Sequence, residues 1–516
     1  MSFRQDRTNP SSAVSNWKGR TDTPKAWPST SVSTWMNSGL FSAGGDNWVY
    51  RWVPASKSSG ADPGNWIYGM LYQTNSGDDY LWVGVGYNNG VFGYINMTTL
   101  EWSDLVQDAN NTLDGIRGIY ETSWFGNSGI AAIGQQASGS NRYALWNEGF
   151  MPSAQTTAPA NYRSFYWTNQ YPYATYFFKG NPCKMGNPGG SDDARYYGAY
   201  SGMGSYYSPH YVQFNMSTTS GATAMGGRSY YRTSYTGYPV GLETTGTNSS
   251  GRTYGWHGQG LGGTRYAEFV SMNNNGFGGQ DTKALGDSNT QPFPCALTKV
   301  NHDSADYFYG QTTSYSTSST YNYGHVIKFD TNNDIEWQRK VQPGSPNSSN
   351  TGGLGEVAPD HVNGGCYGIF DMQDTQTNSS TARWRTWIVK WDKDGTIQWS
   401  RALYRTDIST GTYTFNIQSA DGTADGDLVI GMQGSKHSGG ELVTWIVFLK
   451  GDGSGTGTFT IDGETWAYSD SLTLNESAGH LPTAGNPSAS SSGPQVTYAQ
   501  ATAQAYVGTE IERHSF

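Results

Sequence analysis

The sequence has few charged residues, and its positive charge is especially sparse. Asp, Glu, Lys and Arg make up 14% of the 516 residues, against about 25% in a typical globular protein. The 31 Lys and Arg are outnumbered by 41 Asp and Glu, which gives a net charge of -10, and no basic stripe occurs. Because binding to a phosphate backbone needs clustered cations, the sequence argues against nucleic acid as a partner.

Cysteine and long apolar runs are also scarce. Cys183, Cys295 and Cys366 are the three cysteines and lie far apart, so they form neither a disulfide framework nor a CxxC metal motif. We interpret them as small buried residues. No run of about 18 apolar residues occurs, and the first 20 residues have no apolar core of a signal peptide. We therefore predict no membrane insertion and synthesis in the cytoplasm; work outside the cell would need another exit route.

The motifs of common catalytic and cofactor sites are missing. The eight histidines are scattered, with neither HxH nor HExxH spacing, and no GxSxG elbow occurs. The stretch GQGLGG at 258–263 is not followed by Lys-Ser/Thr, so it does not predict a phosphate loop. The sequence thus predicts no catalytic residue, no metal site and no cofactor. Paired carboxylates that cleave a glycoside stay open as an alternative, because sequence alone selects no pair.

Glycine and aromatic residues are abundant. The chain has 68 Gly, 36 Tyr and 19 Trp. Aromatic side chains suit the pleated surface of a sheet, and Gly, Asn and Asp serve tight turns. A disordered chain would have few aromatics and many charges. The composition therefore indicates an all-β protein with many turns.

A repeated pattern of a lysine, an aromatic residue, an aspartate, a turn and a tryptophan divides the chain. The stretch VIKFDTNNDIEW at 326–337 matches IVKWDKDGTIQW at 388–399 position by position. Weaker copies recur at intervals of about 60 residues. The aligned aromatic or apolar position is occupied by Tyr94, Trp146, Phe214, Phe269, Phe329, Trp391 and Leu449.

A short apolar strand with an internal glycine precedes each copy, as in TYGWHGQG at 253–260 and CYGIFDMQ at 366–373. A glycine within a strand usually marks a close backbone approach or a bulge. Repeated units of about four strands without a helix are typical of a β-propeller. We predict about seven blades over residues 62–470, with six or eight as the alternatives. Extended arms at 1–60 and 471–516 flank them, and the second arm contains one or two strands.

The acidic turn DKDG at 392–395 could be a metal loop or a hairpin turn. A calcium loop of the EF type needs about five oxygen ligands over twelve residues, and the acids here stop after Asp392 and Asp394. The corresponding turns of the other copies keep turn-forming residues but not the carboxylates. We therefore interpret DKDG as a hairpin turn.

Two tyrosine-rich stretches, 195–211 and 228–238, break the repeat. Tyrosine offers a rigid apolar body with a polar tip, which suits contacts to proteins or sugars. From these stretches we select Tyr206, Tyr207, Tyr230 and Tyr231 as candidate contacts to a partner or a glycan.

The repeat at 326–340 and 387–401 resembles the bacterial propeller repeats of the pyrroloquinoline-quinone-like class. This resemblance implies the architecture only. Members that carry the cofactor often have a vicinal disulfide, and the present sequence has no adjacent cysteines.

The N-terminal stretch STSVSTWMNSGLFSAGG at 29–45, together with the composition, resembles virion proteins of marine tailed phages, particularly those of cyanobacteria. The resemblance implies an N-terminal anchoring segment that contains Trp35, Met36, Leu40 and Phe41, followed by a displayed domain. It also implies a location in the virion, contacts with other virion proteins and with copies of the chain, and a host surface glycan as a target.

We therefore expect a non-enzymatic structural protein of a phage particle, which contributes to assembly or host adsorption. The alternative is an extracellular propeller that binds or cleaves a polysaccharide. The C-terminal arm, rich in Ser, Gly and Pro, has too little apolar surface to become ordered alone. We expect a partner to order it.

Overall fold

The computed structural model describes residues 47–515 with gaps. The gaps are 55–66, 76–77, 86–90, 98–100, 103–104, 109–112, 125–126, 137–140, 148–161, 169–175, 178–192, 204–206, 218–220, 232–237, 246–250, 262–263, 274–278, 317–318, 347–354, 377–382, 408–415, 436–441, 462, 479–480, 485–487, 491–494, 500–502 and 507–508. Within the described residues there are 37 strands and no helix. The all-β prediction is confirmed.

The described strands form seven antiparallel sheets, which we number in chain order. Strand β1 (Trp48–Pro54) precedes them and joins the last. Sheet 1 contains β2 (Ile67–Asn75), β3 (Asp78–Val85), β4 (Val91–Asn96), β5 (Glu101–Trp102) and β6 (Leu105–Asp108). Sheet 2 contains β7 (Leu113–Trp124), β8 (Asn127–Gln136), β9 (Asn141–Asn147) and β10 (Tyr162–Thr168). Sheet 3 contains β11 (Tyr176–Phe177), β12 (Asp193–Met203), β13 (Tyr207–Ser217) and β14 (Gly221–Tyr231).

The remaining sheets repeat the same antiparallel meander. Sheet 4 contains β15 (Tyr238–Thr245), β16 (Arg252–Leu261), β17 (Thr264–Asn273) and β18 (Asp281–Leu285). Sheet 5 contains β19 (Thr290–His302), β20 (Ala305–Ser316), β21 (Ser319–Phe329) and β22 (Ile335–Pro343). Sheet 6 contains β23 (Gly355–Pro359), β24 (Cys366–Asp374), β25 (Arg383–Trp391) and β26 (Ile397–Arg405). Sheet 7 contains β27 (Asn416–Gly422), β28 (Leu428–Ser435) and β29 (Leu442–Leu449), followed by β1.

The sheets are arranged as a closed ring. Each sheet contacts the next one in chain order, and sheet 7 contacts sheet 1 through β27 and β2. The first strands of most sheets touch one another across these junctions, so they surround the ring axis, as expected for a propeller. The count of seven sheets applies to the described residues; the number of blades stays a prediction.

The C-terminal part of the chain adds an outer strand to every one of these sheets. It first forms the hairpin of β30 (Gly457–Ile461) and β31 (Glu464–Ser469), and β31 pairs with β26 of sheet 6. It then visits the other sheets in reverse order: β32 (Leu474–Ala478) in sheet 5, β33 (Thr483–Ala484) in sheet 4, β34 (Ser488–Ser490) in sheet 3, β35 (Gln495–Ala499) in sheet 2, β36 (Ala503–Tyr506) in sheet 1 and β37 (Thr509–Ser515) in sheet 7. We call β31 to β37 the belt.

The belt differs from our expectation for residues 471–516 in two ways. The described residues of this segment form six strands rather than one or two, and these strands pair with the chain's own sheets. The backbone hydrogen bonds of the sheet edges provide the ordering energy that the polar side chains lack. The propeller itself, rather than a partner, therefore orders the described tail. Within the expected N-terminal arm, residues 48–54 are likewise part of sheet 7.

The repeated aromatic position forms the core between sheets. Tyr94, Phe269, Phe329, Trp391 and Leu449 are all buried. The rings of Phe269 in sheet 4 and Phe329 in sheet 5 stack with centroids 4.1 Å apart. Apolar burial of this kind stabilises each sheet against its neighbour.

The repeated glycine makes room for a neighbouring sheet. A Cβ atom on Gly255 would lie 2.5 Å from the ring of Tyr211 in sheet 3. A Cβ atom on Gly310 would lie 3.1 Å from Trp256 in sheet 4, and one on Gly431 would lie 2.8 Å from Ile67 in sheet 1. The predicted close approach at the repeated glycine is confirmed at these positions.

The DKDG turn joins β25 to β26, as predicted. Oδ1 of Asp392 accepts hydrogen bonds from the backbone N–H groups of Asp394 and Thr396, at 3.0 and 2.8 Å. Gly395 has a φ of 79°, a value that favours glycine. The turn is therefore held by the side chain of Asp392 and by its own backbone bonds, and the interpretation as a hairpin turn is confirmed.

Candidate functional site

The turns between the first and second strands and between the third and fourth strands lie at one end of the ring, which we call the turn end. The second strands of sheets 5 and 6 each begin near the following sheet's first turn. The hydroxyl of Tyr309 donates to the carbonyl oxygen of Gly364 at 2.6 Å, and the hydroxyl of Tyr367 donates to that of Gly426. These bonds fix the turn end of each sheet against the next one.

A cluster of titratable side chains lies near the ring axis at the turn end. Glu243 comes from the first strand of sheet 4, Lys299 from that of sheet 5 and Asp421 from that of sheet 7, while Asp306 begins the second strand of sheet 5. We call these four residues the axial cluster. Glu243 and Asp421 influence each other electrostatically, although sheets 5 and 6 separate their own sheets along the ring. Their side chains therefore approach across the axis.

The protonation of Glu243 follows from its surroundings in the axial cluster. Burial raises the pKa of Glu243 to about 8. The cation of Lys299 opposes this shift, whereas the carboxylates of Asp421 and Asp306 add to it. Since the pKa lies above 7, the group is mostly protonated at neutral pH and can donate a proton or a hydrogen bond.

Two members of the axial cluster also bond the inner edges of adjacent sheets. The ammonium group of Lys299 donates to the carbonyl oxygen of Thr244 at 2.6 Å. Oδ2 of Asp421 accepts the backbone N–H of Tyr72 in sheet 1 at 2.8 Å. First strands have no partner strand on their axial edge, so side chains of a neighbouring sheet satisfy their backbone groups. Lys299 and Asp421 thus have a structural role beside any chemical one.

Tyr72 extends the titratable groups at the turn end into sheet 1. Its pKa is raised, first by burial and then by a hydrogen bond to Asp79 and by the charges of Asp79 and Asp425. Asp79 in turn accepts a hydrogen bond from Thr74 at 2.7 Å. The phenol therefore stays neutral and can serve as a hydrogen-bond donor.

A hydrogen-bond chain connects sheets 3 and 4 away from this cluster. The hydroxyl of Tyr211 lies 2.8 Å from Nδ1 of His257, and Nε2 of His257 lies 2.8 Å from Oε2 of Glu268. All three residues are fully buried. Such a satisfied buried network fixes the alignment of two packed surfaces, and we assign it to the junction of the sheets.

A second buried histidine lies inside sheet 5. Nε2 of His325 is 2.6 Å from Oγ of Ser314 on the adjacent strand. Burial lowers the pKa of His325 to about 3, and the cation of Lys340 adds to the effect. Both residues are buried, so this pair of serine and histidine packs within the sheet and is not accessible to a large substrate.

The residues selected from the sequence are dispersed or not described. Tyr207 begins β13, and Tyr230 and Tyr231 end β14, where their backbones pair with Ala489 and Ser488 of the belt. Tyr206 lies outside the described residues, as do Trp35, Met36, Leu40 and Phe41. The roles proposed for these residues stay predictions.

The sequence did not single out Glu243. It lies in the strand YPVGLETT as the one charged residue, and a lone acid in an apolar strand is a weak signal. Its position at the axis depends on ring closure, which brings together sheets that are far apart in the chain. Within the described part of the chain, no group of three or more metal-ligating residues is present, and no helix is long and apolar enough to cross a membrane.

No protein-family model matches the chain, and no curated protein matches it. The solved structures that resemble it include the polysaccharide lyase Uly1, at 9% sequence identity and a TM-score of 0.35, with 78% of this chain and 99% of the lyase covered. Another is Drosophila semaphorin 1a, extracellular domains 1–2, at 9% identity and a TM-score of 0.33, with 75% of this chain and 86% of the semaphorin covered.

Proposed function

We propose that the chain is a non-enzymatic structural protein of a phage virion, displayed on the tail or another particle surface. In this proposal residues 1–46 anchor the chain to other virion proteins or to copies of itself. The propeller faces outward and contributes to assembly or to adsorption on a host surface glycan. The protein reaches the outside in released particles.

The observation that carries this proposal is the meeting of both ends of the described chain in sheet 7. Strand β1 lies between β29 and β37, the last strand of the chain. Within the described chain, β1 is therefore held at this one sheet. Attachment at one sheet leaves the two faces of the ring to be presented to the surroundings, as display on a particle requires.

The belt adds a second argument, from crowding. A particle surface holds many copies at high local concentration, and long exposed strand edges pair between copies. The belt covers the outer edges of the sheets with strands of two to seven residues, such as β33 and β37. Very short edge strands are a common protection against edge-to-edge pairing, so the belt suits a protein displayed in many copies.

The test is the protein content of purified particles. Particles released by cells that produce the chain would be purified on a density gradient and analysed by quantitative mass spectrometry and immunogold labelling. We expect the chain at a fixed stoichiometry to the major particle proteins, with gold on the particle surface. Absence of the chain from intact particles would overturn the proposal.

The alternative function is binding or cleavage of an extracellular polysaccharide, and the axial cluster favours it. Glycoside cleavage requires an acid with a raised pKa and a second carboxylate. Glu243 would supply the acid and Asp421 the carboxylate, because both approach the ring axis at the turn end. A glycan array and a reducing-sugar assay with the full chain would test this function, with Glu243→Gln as the matched variant. If the variant still binds the polysaccharide but no longer cleaves it, the chain is an enzyme that uses Glu243. If the variant keeps both binding and cleavage, Glu243 has no role in either.

A further inference from the structure

The belt passes once around the ring and ends where the ring closes. Its strands follow the sheets in the order 6, 5, 4, 3, 2, 1 and 7. Sheet 7 therefore combines three separate stretches of the described chain: 416–449, 48–54 and 509–515. It is the seam at which the two ends of the described chain hold each other.

Strand β1 has unequal neighbours within this seam. On one side β29 faces residues 48–52, while on the other side β37 faces all of β1 from Trp48 to Pro54. The rings of Trp48 and Phe448 stack with centroids 4.6 Å apart. At the start of β1, Oδ1 of Asn47 accepts the backbone N–H of Lys450 at 2.8 Å, and its amide donates to the carbonyl oxygen of Ser454 at 2.9 Å.

These contacts divide β1 into two parts. The beginning of β1 is fixed by side chains and by β29, whereas the described pairing of residues 53 and 54 is with β37 alone. Loss of β37 would turn β1 into an edge strand and expose its outer backbone groups to water. A strand that is a minor part of a large fold can open locally, with a free energy far below that of global unfolding.

We propose that the belt stabilises the closed ring and that β37, its last strand, is the latch that holds β1 in sheet 7. Release of β37 opens the ring locally at sheet 7 and leaves the other sheets closed. An extended segment of another protein could pair with the outer edge of β1 in place of β37. Such pairing would displace β37 from sheet 7.

The experiment is hydrogen exchange measured by mass spectrometry on the full chain and on two double variants. Successive backbone N–H groups of a strand point to opposite edges. Of two consecutive prolines, one therefore always removes an N–H group that faces the neighbouring strand. Glu510→Pro/Ile511→Pro breaks the latch at sheet 7. Val496→Pro/Thr497→Pro makes the same change in β35 of sheet 2 and serves as the matched control.

We expect the first variant to accelerate exchange of residues 48–54 at least tenfold and to leave residues 162–168 of β10 unchanged. The control variant should accelerate exchange in 162–168 and leave 48–54 unchanged. Unchanged protection of 48–54 in the first variant overturns the latch. Equal acceleration over all sheets in both variants overturns a local seam.

A reversible variant decides the question if the prolines prevent folding. Val53 and Glu510 are Cα partners in the register of β1 and β37, and antiparallel partners lie about 4.5–5.5 Å apart, within reach of a disulfide. In Val53→Cys/Glu510→Cys, oxidation should slow exchange of residues 48–54 severalfold relative to the reduced form, with the other sheets unaffected. The same exchange rate in both forms overturns the proposal.

Discussion

The indole nitrogen of Trp399 in sheet 6 donates a hydrogen bond to the carbonyl oxygen of Gly451, in the turn that follows β29 of sheet 7, at 3.0 Å. One sheet earlier, Trp337 makes the same bond to the carbonyl oxygen of Lys393, also at 3.0 Å. The repeated lysines reach the same two acceptors, Lys390 at 3.0 Å and Lys328 at 2.8 Å. In both copies, the repeated lysine and tryptophan of one sheet therefore hold the turn that follows the third strand of the next sheet.

Removal of one of these indole donors should weaken the junction of two sheets. We expect Trp399→Phe to lower the free energy of unfolding by about 1–3 kcal/mol, because a buried hydrogen bond and packing volume are lost. Gly451 keeps its bond to Lys390, so the carbonyl is not left unpaired. Chemical denaturation measures this change when unfolding is followed by the circular dichroism of the backbone, because that signal does not rely on the tryptophan that is removed.

Trp337→Phe is the matched variant one sheet earlier and should cost a similar amount. The two indoles are equally buried, at 9% exposure, and their acceptors are equivalent. Variants within 0.3 kcal/mol of the parent, a margin of about the usual surface effect, would show that the repeated tryptophan stabilises no junction.

A methyl group on the repeated glycine should force apart two sheets. In Gly255→Ala the new Cβ atom would lie 2.5 Å from the ring of Tyr211, a distance at which the buried ring or one of the two backbones must move. We expect a loss of about 1–3 kcal/mol, as for other overpacked cores. Thermal and urea denaturation of the purified chain give the value.

Gly457→Ala is the control for this substitution. No atom lies within 4 Å of a Cβ atom built on Gly457, and the alanine reduces the conformational freedom of the unfolded chain. Its stability should equal or slightly exceed that of the parent. An equal loss in both variants would show that glycine is required for its backbone and not for its lack of a side chain.

The repeat in the sequence carried the prediction of the fold because it is local. A strand with an internal glycine, followed by an aromatic strand and a turn, requires only neighbouring residues, and Phe329 and Trp391 occupy their expected buried positions. The belt could not be found in this way. Its strands are short and polar, β33 having only two residues, and they gain their order from edges that are distant in sequence.

The axial cluster was beyond the sequence for a similar reason. Glu243 and Asp421 belong to sheets that approach only when the ring closes, and neither lies in a recognisable motif. The raised pKa of Glu243 arises from burial and from the nearby charge of Asp421, and both depend on the assembled ring. The tyrosines selected because they are frequent in two stretches lie elsewhere in the described fold. Tyr230, for example, is at the end of β14, beside the belt.

Glu243 should make stability fall as the pH rises. Its pKa of about 8 in the folded chain lies above the ordinary value of 4.5, so the folded state holds the proton more tightly than the unfolded state. The stabilising contribution is complete below pH 4.5 and is lost as the pH rises through 8. Glu243→Gln keeps the shape of the neutral acid and cannot ionise.

The measurement is the difference in unfolding free energy between the parent and Glu243→Gln at pH 5 and pH 9. We expect the variant to gain about 4 kcal/mol relative to the parent over this interval. Glu268→Gln is a poor control because it changes the hydrogen bond to His257. Asp394→Asn is the better control, because it removes an exposed carboxylate at the turn end. A gap between parent and Glu243→Gln that does not change with pH would contradict a protonated Glu243.

His325 should produce the opposite pH dependence. Its neutral imidazole is buried beside Ser314, with a pKa of about 3 against an ordinary 6.5. The unfolded chain takes up a proton near pH 6.5, while the folded chain resists it until about pH 3. The contribution of this residue is therefore complete above pH 6.5 and is lost as the pH falls towards 3.

His325→Gln tests this dependence because its side-chain amide does not titrate and can still bond to Ser314. Between pH 7 and pH 4.5, the parent should lose about 2.5 kcal/mol of unfolding free energy relative to the variant, because the loss approaches roughly 1.4 kcal/mol for each unit of pH below the unfolded pKa. Urea denaturation at several pH values gives this difference directly. Parallel curves for the two proteins would mean that His325 accepts a proton in the fold, which requires water or an acceptor at its ring within sheet 5.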